Sequence, residues 1–169
     1  MRAFCRDFVN SVPDVVRVNR GKMSLDGVAE KALEVGAEKV VIVDRWHGGP
    51  GKIAFFTVTS TGLTPIPPLM LLSGIRLKRE FENRTKRARS SIITIGSTDS
   101  SELEKAAGQL AKFFGLPLLS SRQASEQHKA SMHLSFDSSS RLQLTFMLLG
   151  RMVEIGPRVT VSKLVWEAA

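Results

Sequence analysis

Leu25-Asp26-Gly27-Val28-Ala29-Glu30-Lys31-Ala32-Leu33 and Leu103-Glu104-Lys105-Ala106-Ala107-Gly108-Gln109-Leu110-Ala111 decide how this chain is read. In the first stretch, Leu25, Val28, Ala29, Ala32 and Leu33 fall at three- and four-residue steps, which line one face of a helix; the stripe stops at Gly36. Leu103, Ala106, Ala107, Leu110 and Ala111 repeat the stripe about 78 residues later and stop at Phe114-Gly115. A strand-like run precedes each helix, Val15-Val16-Arg17-Val18 in the first copy and Ile92-Ile93-Thr94-Ile95 in the second.

Strand signals follow each helix as well. Lys39 to Val43 and Lys52 to Val58 come after the first; Leu116 to Leu119, Met132 to Phe136 and Leu142 to Phe146 come after the second. Both halves then reach a matching phrase, Leu69-Met70-Leu71-Leu72 and Phe146-Met147-Leu148-Leu149, 77 residues apart. One element order at nearly one offset points to an internal duplication. The expected fold class is α/β, with two similar half-domains, each a small mixed sheet with helices, packed into one body. A core built by about 80 residues alone is marginal, so mutual burial is the economical arrangement. The first half spans about residues 1–80, a basic linker about 81–90, and the second half about 91–169. Arg122 to Ala130 reads equally as a short helix or a loop.

Charge narrows the partners. The 169 residues carry a formal net charge of +8 with 24 Lys and Arg against 16 Asp and Glu. That excess points to a polyanion: RNA, DNA or an acidic membrane surface. Membrane is the weakest of the three, since the longest apolar run, Ile66 to Leu72, is short and holds two prolines. The start, Met1 to Asp7, has no long apolar core of a secretory signal, and Cys5 is the sole cysteine. Both favour a reducing, intracellular setting. Cys5 itself reads as a core residue on the apolar side of a short N-terminal helix.

The positive charge is concentrated. Arg17-Val18-Asn19-Arg20-Gly21-Lys22 lies directly ahead of the helix start Ser24-Leu25-Asp26. Unpaired N–H groups at a helix N-terminus suit phosphate, and Gly21 permits a sharp turn or close approach. The alternative is a solvated basic turn. The matching junction of the second copy, Ser97-Thr98-Asp99-Ser100-Ser101, has capping chemistry and no positive charge, so Arg20 and Lys22 are not expected to be required by the fold. Between the halves, seven of the fifteen residues from Ile75 to Arg89 are Lys or Arg. Such a run binds nucleic acid by counterion release, or serves as a solubilising tether.

Several phrases carry a resemblance. Phe4-Cys5-Arg6-Asp7-Phe8, Val16-Arg17-Val18-Asn19-Arg20-Gly21-Lys22, Gly49-Pro50-Gly51, Arg76-Leu77-Lys78-Arg79-Glu80 and Glu154-Ile155-Gly156-Pro157-Arg158-Val159-Thr160 resemble signatures of the Brix domain family, in the expected order. The Glu-Ile-Gly-Pro-Arg and Val-Arg-Val-Asn-Arg-Gly-Lys phrases are the most specific. The resemblance implies a single Brix domain over residues 1–169, similar in fold to a duplicated anticodon-binding-type unit, and an archaeal, single-domain version. It also implies a ribosome biogenesis factor that binds ribosomal RNA precursor and assists rRNA processing and subunit assembly. Eukaryotic relatives act in the nucleolus; for this chain the cytoplasm is expected. The Glu-Ile-Gly-Pro-Arg ending is most similar to members of the small-subunit processing complex.

Enzymatic readings find little. His47, His128 and His133 form no metal pair at helical spacing. Gly48-Gly49-Pro50-Gly51 lacks the Gly-Lys-Ser/Thr ending of a phosphate loop and reads as a hairpin turn. Ser138-Ser139-Ser140 reads as a turn, without a nucleophile elbow. Trp46-His47, between Arg45 and Lys52, either stacks on an unpaired base or packs beneath its turn. No tyrosine is present, so recognition by phosphate and shape is expected over base stacking. No catalysis, cofactor, metal or small-molecule substrate is expected. The RNA-binding residues are expected to be Arg17, Arg20, Lys22, Arg76, Lys78, Arg79, Arg84, Lys86, Arg87, Arg89, Arg151 and Arg158. The rival is a protein–protein adaptor in a pre-ribosomal complex that meets RNA only through partners.

Overall fold

Serine caps start both predicted helices. Ser24 Oγ accepts the Gly27 amide at 3.1 Å and Ser100 Oγ accepts the Leu103 amide at 3.3 Å, satisfying donors that a helix start leaves open. The resulting helices are α2 (Leu25–Glu34) and α3 (Ser101–Phe114), preceded by α1 (Arg2–Ser11) and followed by the one-turn α4 (Ser121–Ala124). Gly115, at φ +64, ends α3 in the left-handed conformation that glycine adopts at little cost. The structure is a computed structural model and describes residues 1–46, 49–83, 88–96 and 99–167.

The strands are β1 (Lys39–Trp46), β2 (Gly49–Thr59), β3 (Gly62–Arg76), β4 (Ile92–Ile95), β5 (Leu118–Ser120), β6 (Ala130–Phe136), β7 (Leu142–Leu148), β8 (Val153–Glu154) and β9 (Arg158–Val165). They form one nine-stranded sheet in the order β1-β2-β3-β9-β7-β6-β4-β5, with β8 on β7. Two small mixed sheets were expected, and this is a correction. The last strand, β9, inserts between β3 and β7, so the open edge of each half is closed by the other. Parallel pairing is confined to β4 with β5 and β6; the first half is wholly antiparallel.

A second correction concerns Val15 to Val18, which form no strand. Ile92 to Ile95 lie between two parallel partners; Val15 to Val18 have no ladder, and Val16 is 78% exposed. β-Branched residues favour a strand only where neighbours cover the pleat. The matched phrases also differ in phase. Met70 and Leu72 are buried, whereas Met147, the equivalent of Met70 at the 77-residue offset, is half-exposed beside buried Phe146. A one-residue slip exchanges the two faces of a strand.

One face of the sheet carries the main core. Phe4 and Phe8 of α1, with Val12 just beyond it, join Leu103, Ala106, Leu110 and Phe113 of α3 against Ile53, Phe55, Met70, Leu72, Ile93, Leu134, Phe146 and Val159. Phenylalanine edges link the layers, Phe8 to Phe146 at 6.0 Å and Phe55 to Phe113 at 5.0 Å. Lys39 locks β1 to α3 by donating from Nζ to the Phe113 carbonyl at 2.8 Å, the favourable place for a cation at a helix C-terminus. Among the described residues, helices cover the opposite face at its flanks. There α2 lies over β2 and β3 with Ala29 and Ala32 buried, and Ala124 of α4 packs with Ile92 and Leu149. The central strands between them present polar side chains.

Candidate nucleic-acid interface

The basic loop ahead of α2 is shaped by its own arginine. Gly21 sits at φ +56, and the Met23 amide donates to the Arg20 carbonyl at 3.0 Å, closing a turn. Arg20 Nε donates to the Met23 carbonyl at 3.0 Å, and its Nη1 reaches the Asp44 carboxylate on β1 at 3.3 Å. Arg20 therefore ties the loop to the sheet. With the two side chains 36% and 47% exposed, solvent screens the pair and its contribution is small. Arg17 and Lys22 are exposed, and Lys22 makes no ion pair with any described residue. Arg20, Gly21, Lys22, Met23, Val43 and Asp44 line an open, shallow depression.

A second basic group forms where β3 meets β9. Arg76 and Arg158 are register partners, and both guanidiniums lie over the Phe81 ring, at 4.3 and 5.5 Å from its centroid. Two like charges opposite one another repel, and the neighbours relieve this. Glu154 takes Arg158 in a fork, Nε to Oε1 at 2.5 Å and Nη2 to Oε2 at 3.2 Å, while Thr145 donates to Oε1 at 3.0 Å. Arg76 Nη2 donates to the Glu80 carbonyl at 2.8 Å and stays exposed.

The other expected residues divide. Arg79, Arg89 and Arg151 are exposed, Arg151 in the turn between β7 and β8. Lys78 departs from the expectation: its Nζ is buried without a hydrogen-bond partner among the described residues, so it faces no phosphate. Burial pushes the Lys78 ammonium below the usual lysine value, and Asp7, whose carboxylate accepts the Lys78 amide at 2.9 Å, opposes the shift. Arg84, Lys86 and Arg87 lie outside the described residues, as do the Trp46 side chain and His47. The Gly49-Pro50-Gly51 stretch begins β2, in line with the hairpin reading. By strand spacing, Asp44, where Arg20 is tied, and Arg76 are roughly 20 Å apart. The loop and the arginine pair are separate patches.

No family model matches the chain. A probable Brix domain-containing ribosomal biogenesis protein of Pyrobaculum aerophilum is 31% identical over 121 residues, 70% of this chain and 63% of that protein. Another of the same description, from Aeropyrum pernix, is 29% identical over 80 residues, 47% of this chain and 44% of its own length. The chain is a homologue of the archaeal Brix domain-containing proteins. It spans between 44% and 63% of the length of these two Brix relatives. The crystal structure of a probable ribosomal biogenesis protein from Aeropyrum pernix shares the fold, with a TM-score of 0.74 at 20% identity over 97% of this chain and 91% of that one.

The Brix phrase Glu154-Ile155-Gly156-Pro157-Arg158 acquires a physical meaning here. Glu154 grips Arg158, Ile155 enters the main core, and Gly156 admits Phe81. At φ +67 a Cβ on Gly156 would stand 2.3 Å from Phe81 Cε2, so only glycine fits. Phe81, first residue of the expected linker, is 5% exposed and buried beneath two arginines.

Sequence reasoning missed the polar network beside this unit. His133 and Thr94 are register partners; their Nδ1 and Oγ1 atoms are 2.8 Å apart, and Thr94 also bonds Ser131 at 2.9 Å. Burial holds the His133 imidazole below its usual value, partly countered by Glu154. His128 instead meets Ser91 Oγ at 2.6 Å, and no group of three or more His, Cys, Asp or Glu among the described residues is arranged to hold a metal. Cys5 packs half-buried against the main core, and burial pushes its thiol up, away from nucleophilic character. No helix among the described residues is long and apolar enough to cross a membrane.

Proposed function

We propose that this Brix homologue is a non-enzymatic ribosome biogenesis factor. It binds ribosomal RNA precursor and assists its processing and subunit assembly, alone or beside pre-ribosomal proteins. The observation that carries the reading is the pairing of Arg76 with Arg158 across β3 and β9 on a chain of net charge +8. The Arg17, Arg20 and Lys22 loop adds a second cationic patch, and Arg79, Arg89 and Arg151 add exposed charge. The names of the archaeal relatives support the biological setting. In this reading residues 1–169 act as one Brix unit of duplicated origin, with halves of about 1–80 and 91–169.

Titrating salt against binding of ribosomal RNA fragments tests this. Phosphate contacts predict a linear fall of log K with log salt, with a slope near −0.7 to −0.9 for each contact. A flat response sinks the phosphate model. One observation favours the adaptor reading: Leu33 and Val35, at the C-terminal end of α2, are 63% and 50% exposed. RNA retention only in the presence of a protein partner would favour it.

A further inference from the structure

On the face opposite the main core, one row crosses the centre of the sheet: Gly74 on β3, Thr160 on β9, Gln143 on β7 and Ser135 on β6 are successive register partners. Gly96, just beyond β4, continues it, since a Cβ there would lie 3.0 Å from the Ser135 Cβ. Each row residue alternates with core residues facing the other way: Val159 and Val161 flank Thr160, Leu142 and Leu144 flank Gln143, and Leu134 precedes Ser135. Glycine at both ends keeps the row low. At about 4.8 Å per strand, four steps span about 19 Å.

The side chains of Ser135, Gln143 and Thr160 are half-exposed and make no hydrogen bond to any described residue. This sets them apart from Thr94 and Thr145 one row away and Ser131 one row further, whose hydroxyls are all engaged. Charge borders the row on both sides. Arg76 is exposed at one end of the β3–β9 ladder and Lys163, the partner of Leu71, lies on the other side of the row, while Glu154 is already committed to Arg158.

We infer that this row is a track for a single RNA strand, with phosphates drawn to Arg76 and Lys163 and ribose hydroxyls or base edges bonded by Thr160, Gln143 and Ser135. The inference rests on the RNA-binding reading above and assigns it a surface that the basic loop does not include. A protein partner fits worse, because interfaces between proteins are anchored by apolar and aromatic side chains and this row has none. Without an aromatic platform the row recognises sugar, phosphate and base edges, and 2′-hydroxyl contacts distinguish RNA from DNA.

Anisotropy of labelled ten-nucleotide oligo(U) and oligo(dU) tests the assignment. The double variant Gln143→Ala/Thr160→Val should weaken oligo(U) binding about fivefold, leave the salt slope unchanged and shrink the preference over oligo(dU). Gln143→Lys, a half-exposed change that spares the core, should tighten binding and steepen the slope, which keeps the test open if the double variant folds poorly. Wild-type affinity and wild-type RNA preference in both variants overturn the track while leaving RNA binding elsewhere intact. Wild-type protein that ignores oligo(U) at low salt overturns the RNA reading as a whole. Competition by polyglutamate as strong as by oligo(U) assigns the face to an acidic protein and overturns the track as well.

Discussion

Arg76 and Arg158 stand opposite one another across β3 and β9 and share the ring of Phe81, the first at 4.3 Å and the second at 5.5 Å. Among the described residues only Arg158 of the two has a carboxylate, Glu154. One cation is thus neutralised and braced, and the other is left exposed above an aromatic face. This asymmetry makes the pair a structural clasp and, in the proposed function, leaves Arg76 as its phosphate contact.

The clasp predicts a coupled loss of stability. Phe81→Ala should cost about 3–5 kcal/mol, as truncation of a buried phenylalanine does. Gly156→Ala should cost about 2–4 kcal/mol, from the left-handed φ and the collision with the ring. The double variant should lose less than the sum, because removing Phe81 removes the collision. Urea unfolding of the three variants checks it; strict additivity would separate the two residues.

Releasing Arg158 should strengthen RNA binding. Glu154→Gln removes the charge that holds the guanidinium, so the slope of log K against log salt should steepen by about 1. Stability should fall by about 1–3 kcal/mol as Arg158 and Thr145 lose their charged acceptor. Weaker RNA binding by a folded Glu154→Gln protein would show that Arg158 works only when braced.

In the basic loop the two cations should behave differently. Lys22→Ala should weaken RNA binding and flatten the salt slope by about 1 with no change in melting temperature. Arg20→Ala should do the same and also lose up to about 1 kcal/mol, since it frees the loop from Asp44. Thermal melts beside binding isotherms distinguish them.

His133 predicts an acid-sensitive stability. Its folded pKa is lowered, chiefly by burial, so the folded state holds the neutral ring. The unfolded ring titrates near 6.5, and the protein should lose stability as pH falls through that value, levelling off below the folded pKa. His133→Asn should flatten the dependence of melting temperature between about pH 7 and pH 5. An unchanged profile would assign the acid response to other groups.

Legibility in the sequence followed the range of the forces involved. The extents and serine caps of α2 and α3 were readable because the hydrogen bonds that define them span a few residues, but Leu25 and Leu33 of the expected α2 stripe are 47% and 63% exposed while Ala29 and Ala32 are buried. The strand runs of β2, β6 and β7 were readable for the same reason. Val15 to Val18 misled because their residue types suit a strand, yet no ladder forms there. The row through Thr160, Gln143 and Ser135 was present as every second position of three strands, but alternation alone does not say which strands become neighbours.

By itself, then, the sequence determined the helices, most strands, the net positive charge and the Gly21 turn ahead of α2, all properties of local chemistry. Tertiary structure alone decided that β9 inserts between β3 and β7, because strand pairing across about 90 residues is set by which edges remain open once the core forms. That one insertion brings Arg158 to Arg76, lays both on Phe81, and lines up Gly74, Thr160, Gln143 and Ser135. It also decided which cations are spent. Arg158 and Arg20 found carboxylates and Lys78 was buried, while Arg76, Lys22 and Lys163 kept their charge at the surface. A formal charge is a property of composition, but its availability to a polyanion depends on what the fold places within about 4 Å of it.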